Sequence, residues 1–279
     1  MHVATHKELD VADRRAVQSA INHLRPDIVL NAAGFTNVDM AEEFPEEARR
    51  ANHLGPKILA EACADHQTWL VHVSTSYVFD GAQSRPYATT ARTQPLNVYG
   101  MTKLEGELAV RAALPDRSTI VRTSWLHSVL GRHFLERMLH LLETKPVVRV
   151  VCDQFGTPTS ADGLAATLWA LALRQAAGIF NWSDSGAASW YEFALAIAEE
   201  GQAVGALESV SKIVPVSSAT YDARALRPPH SVLDSSETET CLGTKASYWR
   251  ISLRGTLLAI ALERRALAAI NRLKIANSY

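Results

Sequence analysis

Three short apolar runs, each following a helical pattern, constrain the fold of this chain more than any other feature. Asp27-Ile-Val-Leu-Asn-Ala-Ala33, Thr68-Trp-Leu-Val-His-Val-Ser74 and Ser118-Thr-Ile-Val-Arg-Thr-Ser124 read as buried strands. Between them, Pro45 to Ala64 carries acids in its first turn and Ile58, Leu59 and Ala62 at helical spacing. Val98 to Leu114 is a second helical stretch, stopped by Pro115. Strands that alternate with helices predict an α/β fold, a parallel sheet with helices on both faces.

After about residue 145 the alternation loosens. A strand at Val147–Val151, a helix near 161–176, a strand near 178–182, a helix near 190–200 and an amphipathic helix at 253–273 are expected, with Pro- and Ser-rich loop carrying one short strand at 214–236. The expected division is 1–145 as the sheet domain and 146–279 as a smaller C-terminal substrate lobe, some of whose segments return to the first domain. A chain of 279 residues can bury a sizeable core, and its net charge of −1, without a Lys/Arg run, offers nothing to nucleic acid or an anionic membrane. Small molecules are the expected partners. Cys63, Cys152 and Cys241 are too scattered for a disulfide framework or a zinc knuckle, and the ten histidines show no ligand spacing, so no metal is expected. Cys63 is read as a core residue. No apolar run reaches the roughly 18 to 20 residues of a membrane span, and no secretion signal opens the chain; a cytoplasmic protein is expected. The sequence leaves a homodimer open.

Chemistry concentrates around Ser74-Thr-Ser-Tyr-Val-Phe-Asp-Gly81. In an open parallel sheet, ligands lie beyond the carboxyl ends of the strands, where Ser74, Thr75 and Ser76 end theirs. Tyr99 and Lys103, four apart on a predicted helix, share one face. A carbonyl that accepts a hydride needs a proton, which a phenol can give; an ammonium one turn away would lower the phenol's pKa, and Thr75 would hydrogen-bond the carbonyl oxygen. The Tyr-x-x-x-Lys spacing alone is weak and is more often a solvated helix face. Its place just after a hydroxyl-ended strand shifts the balance toward catalysis.

Thr75 with Tyr99 and Lys103 resembles the Ser/Thr-Tyr-Lys triad of the extended short-chain dehydrogenase/reductases. More narrowly, Asn31-Ala-Ala-Gly-Phe-Thr-Asn-Val-Asp39, the Ser74–Gly81 segment, Pro95-Leu-Asn-Val-Tyr-Gly-Met-Thr-Lys103, Arg122-Thr-Ser-Trp125, Asp153-Gln-Phe-Gly-Thr-Pro-Thr159 and Arg227-Pro-Pro-His-Ser-Val-Leu233 resemble, in order, the landmarks of the dTDP-4-dehydrorhamnose reductases. The resemblance implies a Rossmann-like sheet and reduction of the C4 ketone of dTDP-4-dehydro-L-rhamnose by NADPH, or NADH. It also implies site roles. Tyr99 would donate the proton, Lys103 would hold the nicotinamide ribose and tune Tyr99, and Thr75 would polarise the ketone. Asn31, Ala32 and Ala33, together with Tyr99 and Lys103, would line the cofactor, whereas Ser76, Trp125, Gln154 and Arg227 would meet the nucleotide sugar, Arg227 at its diphosphate. Each has a plainer reading: a small-residue strand end for Asn31 to Ala33, a packing aromatic for Trp125, a turn for Gln154, a surface loop for Arg227.

Two departures stand out. Dinucleotide-binding sheets open on a strand, a glycine-rich turn and a helix, yet the first glycine here is Gly34. Against the family pattern, His2 to Thr5 matches the end of the second strand, so roughly thirty residues, the first β-α unit, are expected to be missing. A start codon placed too late, or a decayed gene, is favoured over a functional short form, because loss of a central strand unpairs its neighbours. Ser76 also stands where the family usually has Asp. Two alternatives accompany the reductase: a non-catalytic binding protein resembling the methionine adenosyltransferase beta subunit, and a nucleotide-sugar epimerase or dehydratase.

Overall fold

A computed structural model describes residues 1–276. In chain order the elements are α1 (Arg14–Leu24), β1 (Ile28–Asn31), α2 (Val38–Glu43), α3 (Pro45–Arg49), α4 (Gly55–Asp65), β2 (Trp69–Thr75), α5 (Val98–Ala113), β3 (Ser118–Thr123), β4 (Leu126–His127), α6 (Phe134–Thr144), β5 (Val147–Val151), β6 (Phe155–Gly156), β7 (Thr159–Ser160), α7 (Ala161–Leu173), β8 (Gly178–Asn181), β9 (Ala188–Ser189), α8 (Trp190–Val204), β10 (Lys212–Val216), α9 (Ser236–Leu242) and α10 (Trp249–Ala276). They form two compact units. The first comprises Met1–Ser124, Leu164–Trp182 and Asp222–Lys245; the second comprises Trp125–Gly163, Ser183–Tyr221 and the chain from Ala246.

In the first unit the three alternating strands and the strand expected near 178–182, here Gly178–Asn181, build a parallel sheet in the order β1-β2-β3-β8. Side chains alternate between its faces. Leu70 of β2 and Ile120 of β3 pack on one face with Val17 and Ile21 of α1, Ile58 and Leu59 of α4, and Val110 of α5. Fully burying each such side chain stabilises by roughly 1.5–3 kcal/mol. Cys63 lies in the same cluster, its thiol pushed up to about 12 by burial. His2 to Thr5, expected as a strand end, is exposed and not a strand. The Thr5 carbonyl accepts from the Glu8 and Leu9 N–H groups, and its own N–H and hydroxyl donate to the Glu8 carboxylate. These polar groups are satisfied locally, in a turn, rather than in a sheet ladder.

The single helix expected over Pro45 to Ala64 is interrupted. Residues Arg50–Leu54 form one π-helical turn between α3 and α4, just before Gly55-Pro56. Proline lacks an N–H and crowds the carbonyl four residues earlier, here that of Asn52, so the regular ladder gives way. The Asn52 carbonyl meets α5 so closely that a Cβ on Gly106 would stand 2.1 Å from it. Its side chain accepts from Phe35 N–H at 2.8 Å and donates to Phe35 O and to Thr102 Oγ1 of the same helix. A break in one helix thereby pins the loop that follows β1.

The second unit has a different interior. Parallel β5 and β10 pair, and α6, α8 and α10 enclose Leu135, Leu139, Phe193, Ile197, Leu253 and Leu257. Arg250 and Arg254 of α10 both grip Glu200 of α8. Among the described residues no helix is long and apolar enough to cross a membrane.

Candidate active site

Helix α5 carries the chemistry because its start is fixed from several directions. Asn97 caps it, accepting from Gly100 N–H at 2.8 Å, and donates through its amide to Leu226 O at 2.7 Å. Glu42 accepts from Val98 N–H. A Cβ on Gly100 would lie 2.1 Å from the Tyr77 carbonyl, so only glycine lets the first turn seat against the segment leaving β2. Tyr99, held beside it, meets Tyr77 edge-on with ring centroids 5.9 Å apart.

Thr75 ends β2 with its hydroxyl accepting from Tyr77 N–H and hydrogen-bonded to Tyr99. Burial raises the Tyr99 pKa, and the Thr75 hydroxyl works in the opposite direction. Lys103, 5% exposed, donates to Val73 O at 2.6 Å. Burial lowers its pKa to about 8, with Glu107 one turn further on favouring the charged form. Burial is the largest influence on Tyr99, the Thr75 hydroxyl opposes it, and the Lys103 ammonium is engaged by a strand carbonyl. A half-buried phenol, a hydroxyl touching it and a buried ammonium gather at the carboxyl end of a parallel strand.

The chain matches the family model described as the RmlD substrate binding domain over residues 1–261. The chain belongs to the RmlD substrate-binding-domain family. A dTDP-4-dehydrorhamnose reductase of Sinorhizobium fredii is 40% identical over 261 residues, covering 91% of this chain and 87% of that protein. One from Aggregatibacter actinomycetemcomitans is 36% identical, with 88% and 86% covered. The crystal structure of the Bacillus anthracis dTDP-4-dehydrorhamnose reductase in complex with NADP superposes with a TM-score of 0.87 at 29% identity, over 92% of this chain and 89% of that one.

Membership of the RmlD family raises the question whether these residues suit such a cofactor. At the nicotinamide-ribose end they do. Gly34 lies beside Asn52 and Lys103, where a Cβ would stand 3.0 Å from Asn52 Oδ1 and 3.8 Å from Lys103 Nζ. Asn31 is buried, and its Oδ1 accepts from Ala33 N–H, which shapes the exposed Ala32-Ala33 turn. The diphosphate end is not furnished by α1, whose first N–H groups, those of Arg15 and Ala16, are capped by the Asp13 carboxylate. That carboxylate would repel a phosphate.

The remaining predicted residues of this RmlD-family chain have definite places. Ser76 is fully buried, its hydroxyl without a hydrogen-bond partner among the described residues. Arg227 is in the first unit, as are the triad and Asn31, but its guanidinium forks onto Asp39, with NH1 to Oδ1 at 3.0 Å and NH2 to Oδ2 at 2.7 Å. Trp125 and Gln154 belong to the second unit. Trp125 stacks on Trp190 at 3.4 Å and covers Gly156, and it holds a left-handed backbone at φ 45°. Gln154 is 9% exposed.

Sequence reasoning passed over His72 and Asp39. His72 is fully buried, its Nδ1 3.1 Å from the Asn31 amide, and burial followed by the Lys103 charge holds it well below its usual pKa, so it is neutral. As a neutral ring accepting from Asn31, it orients the amide that shapes the loop after β1. The only available signal was a polar residue inside an otherwise apolar run.

Proposed function

We propose that this chain reduces the C4 ketone of dTDP-4-dehydro-L-rhamnose, with NADPH as reductant. The observation that carries the reading is the hydrogen-bonded Thr75–Tyr99 pair beside buried Lys103, in a chain of this family. When bound, NADPH supplies the hydride that the ketone carbon accepts. Thr75 donates its hydroxyl proton in a hydrogen bond to the ketone oxygen and polarises it. Tyr99 transfers its phenolic proton to that oxygen as it gains charge, and its raised pKa keeps the proton in place at neutral pH. Lys103, charged below about pH 8, holds the nicotinamide ribose and stabilises the phenolate left behind. Asn31, Ala32 and Ala33 line the cofactor. Ser76, Trp125, Gln154 and Arg227 are assigned to the nucleotide sugar, the second unit serving as the substrate lobe.

The three cysteines are unpaired, which supports a reducing, cytoplasmic setting. A homodimer is proposed with it, to be read by analytical ultracentrifugation. The function is tested by following NADPH absorbance with dTDP-4-dehydro-L-rhamnose. One NADPH oxidised per sugar reduced is expected. Turnover of the nucleotide sugar without net NADPH loss would point to an epimerase instead, and NADPH binding without turnover to a regulatory binding protein.

A further inference from the structure

Thr119 and Thr123 lie four apart on β3, so their side chains emerge from the same face of the sheet. Both are buried, at 0% and 4% exposure, yet their hydroxyls differ. Thr119 Oγ1 is satisfied twice, accepting from the Trp69 indole N–H at 2.9 Å and donating to Ala176 O at 2.7 Å. Thr123 Oγ1 has no hydrogen-bond partner among the described residues. A buried hydroxyl without a partner is costly in a folded protein and is rarely left so without a reason.

Register supplies the reason. Parallel pairing sets Thr123 directly opposite Thr75, at the carboxyl ends of adjacent strands. The two hydroxyls therefore stand side by side on one face, about 4.8 Å apart in strand spacing. The next strand extends the row. Trp182 N–H donates to Arg122 O, continuing the ladder past β8, so the Trp182 side chain falls on the face of Thr123; its buried indole N–H is also unpartnered among the described residues. Thr75 is engaged by Tyr77 and Tyr99, while its lateral neighbours present hydrogen-bonding groups that nothing among the described residues uses.

We propose that Thr123 is a further ligand-binding residue of the Thr75–Tyr99 site, its hydroxyl bonding a neutral polar group beside the reacting carbon. That group is a sugar hydroxyl or the nicotinamide carboxamide, both of which donate and accept hydrogen bonds. Thr123 touches the bound pair and orients it; it moves no proton. This inference rests on the reductase reading.

The test compares wild type with Thr123→Val and Thr123→Ser. Valine keeps the branched shape and removes the hydroxyl, whereas serine restores it. Calorimetry with NADPH and, separately, with the product dTDP-L-rhamnose reads affinity without turnover. The expected result is a loss of about fivefold to tenfold in Thr123→Val for one of the two ligands, recovery in Thr123→Ser, and an unchanged or raised Tm. A loss confined to dTDP-L-rhamnose identifies the sugar hydroxyl as the partner, and one confined to NADPH identifies the carboxamide. Equal affinities in wild type and Thr123→Val would overturn the assignment, as would a lowered Tm with both affinities intact, which marks a structural role. If wild type binds neither ligand, the reductase reading has failed before any variant is compared, and this inference falls with it.

Discussion

Two buried polar groups of the first unit lie within a few residues of each other and are built on opposite principles. On the face covered by α5, Ser74 donates to Glu107 at 2.5 Å, Arg122 forks onto the same carboxylate, and Arg122 NH1 donates to Thr89 O. Its guanidinium also stacks 5.1 Å from the Phe79 ring centroid. Glu107 and Arg122 are 1% and 3% exposed, and each meets its charge in the other. One residue further along the same strands, Thr75 engages Tyr77 and Tyr99, and the Ser76 and Thr123 hydroxyls have no partner among the described residues. A completed network fixes a fold; an incomplete one at the carboxyl ends of parallel strands leaves bonding capacity for a ligand.

The largest effect that would break this contrast falls on its reactive side. Tyr99→Phe removes the proposed proton donor and little else, because the ring stays packed against Tyr77. We expect kcat to fall by about 10²- to 10⁴-fold with Tm and NADPH affinity unchanged. A variant that retained more than a tenth of wild-type kcat would show that the proton comes from another group.

On the satisfied side the effect should be thermodynamic. Glu107→Ala leaves the Arg122 guanidinium buried without its counter-charge, which costs about 3–5 kcal/mol of stability. Urea unfolding would register this as a lower midpoint. Replacing both residues with apolar ones of similar volume should recover most of the loss, since desolvation offsets much of a buried pair's attraction. If Glu107→Ala unfolded like wild type, the network would not be structural.

Lys103 stands between the two groups, and pH separates its roles. Its pKa in the folded chain, about 8, is below the usual 10.5, so between those values the unfolded chain binds more protons. Its contribution to stability therefore rises as pH increases from about 8 to 10.5, while the charge needed beside Tyr99 is lost over the same approach. We expect kcat/KM to fall on the alkaline side from about pH 8, and Lys103→Arg, which stays charged, to move that limb upward. A limb that Lys103→Arg leaves in place would belong to another group.

Local periodicity made much of this readable. Apolar runs bounded by helical stretches specified β1, β2 and β3, and the four-residue spacing of Tyr99 and Lys103 placed both on the helix that starts at Asn97-Val98, the pair to which we assign proton donor and cation. What was hidden depends on partners far along the chain. Thr123 gains meaning only from its register with Thr75, and His72 only from the Asn31 amide one strand away. The π turn at Arg50–Leu54 reflects both Pro56 and the close approach of Gly106, the second invisible in local sequence. Arg227 was legible as a phosphate-suited side chain, but its ion pair with Asp39 spans 188 residues.

That ion pair gives the smallest and most discriminating test. Asp39 also accepts from Ala225 N–H, so it ties the segment around Arg227 to the start of α2. Burial opposes its charge, yet the hydrogen bonds from Arg227 prevail and hold the Asp39 pKa below its usual value. The pair's stabilisation is thus present at neutral pH and fades as pH falls through the acidic range. Its partners are 19% and 39% exposed, so solvent screening keeps the contribution within about 1 kcal/mol. Asp39→Asn should consequently lower Tm only slightly. It should also release the Arg227 guanidinium from its counter-charge while the bond to Ala225 O remains, and if that guanidinium serves the substrate diphosphate, dTDP should bind a few times more tightly, about two- to fivefold. Unchanged dTDP affinity in Asp39→Asn, together with no loss in Arg227→Lys, would reassign Arg227 from a ligand of the nucleotide to a strap that holds α2.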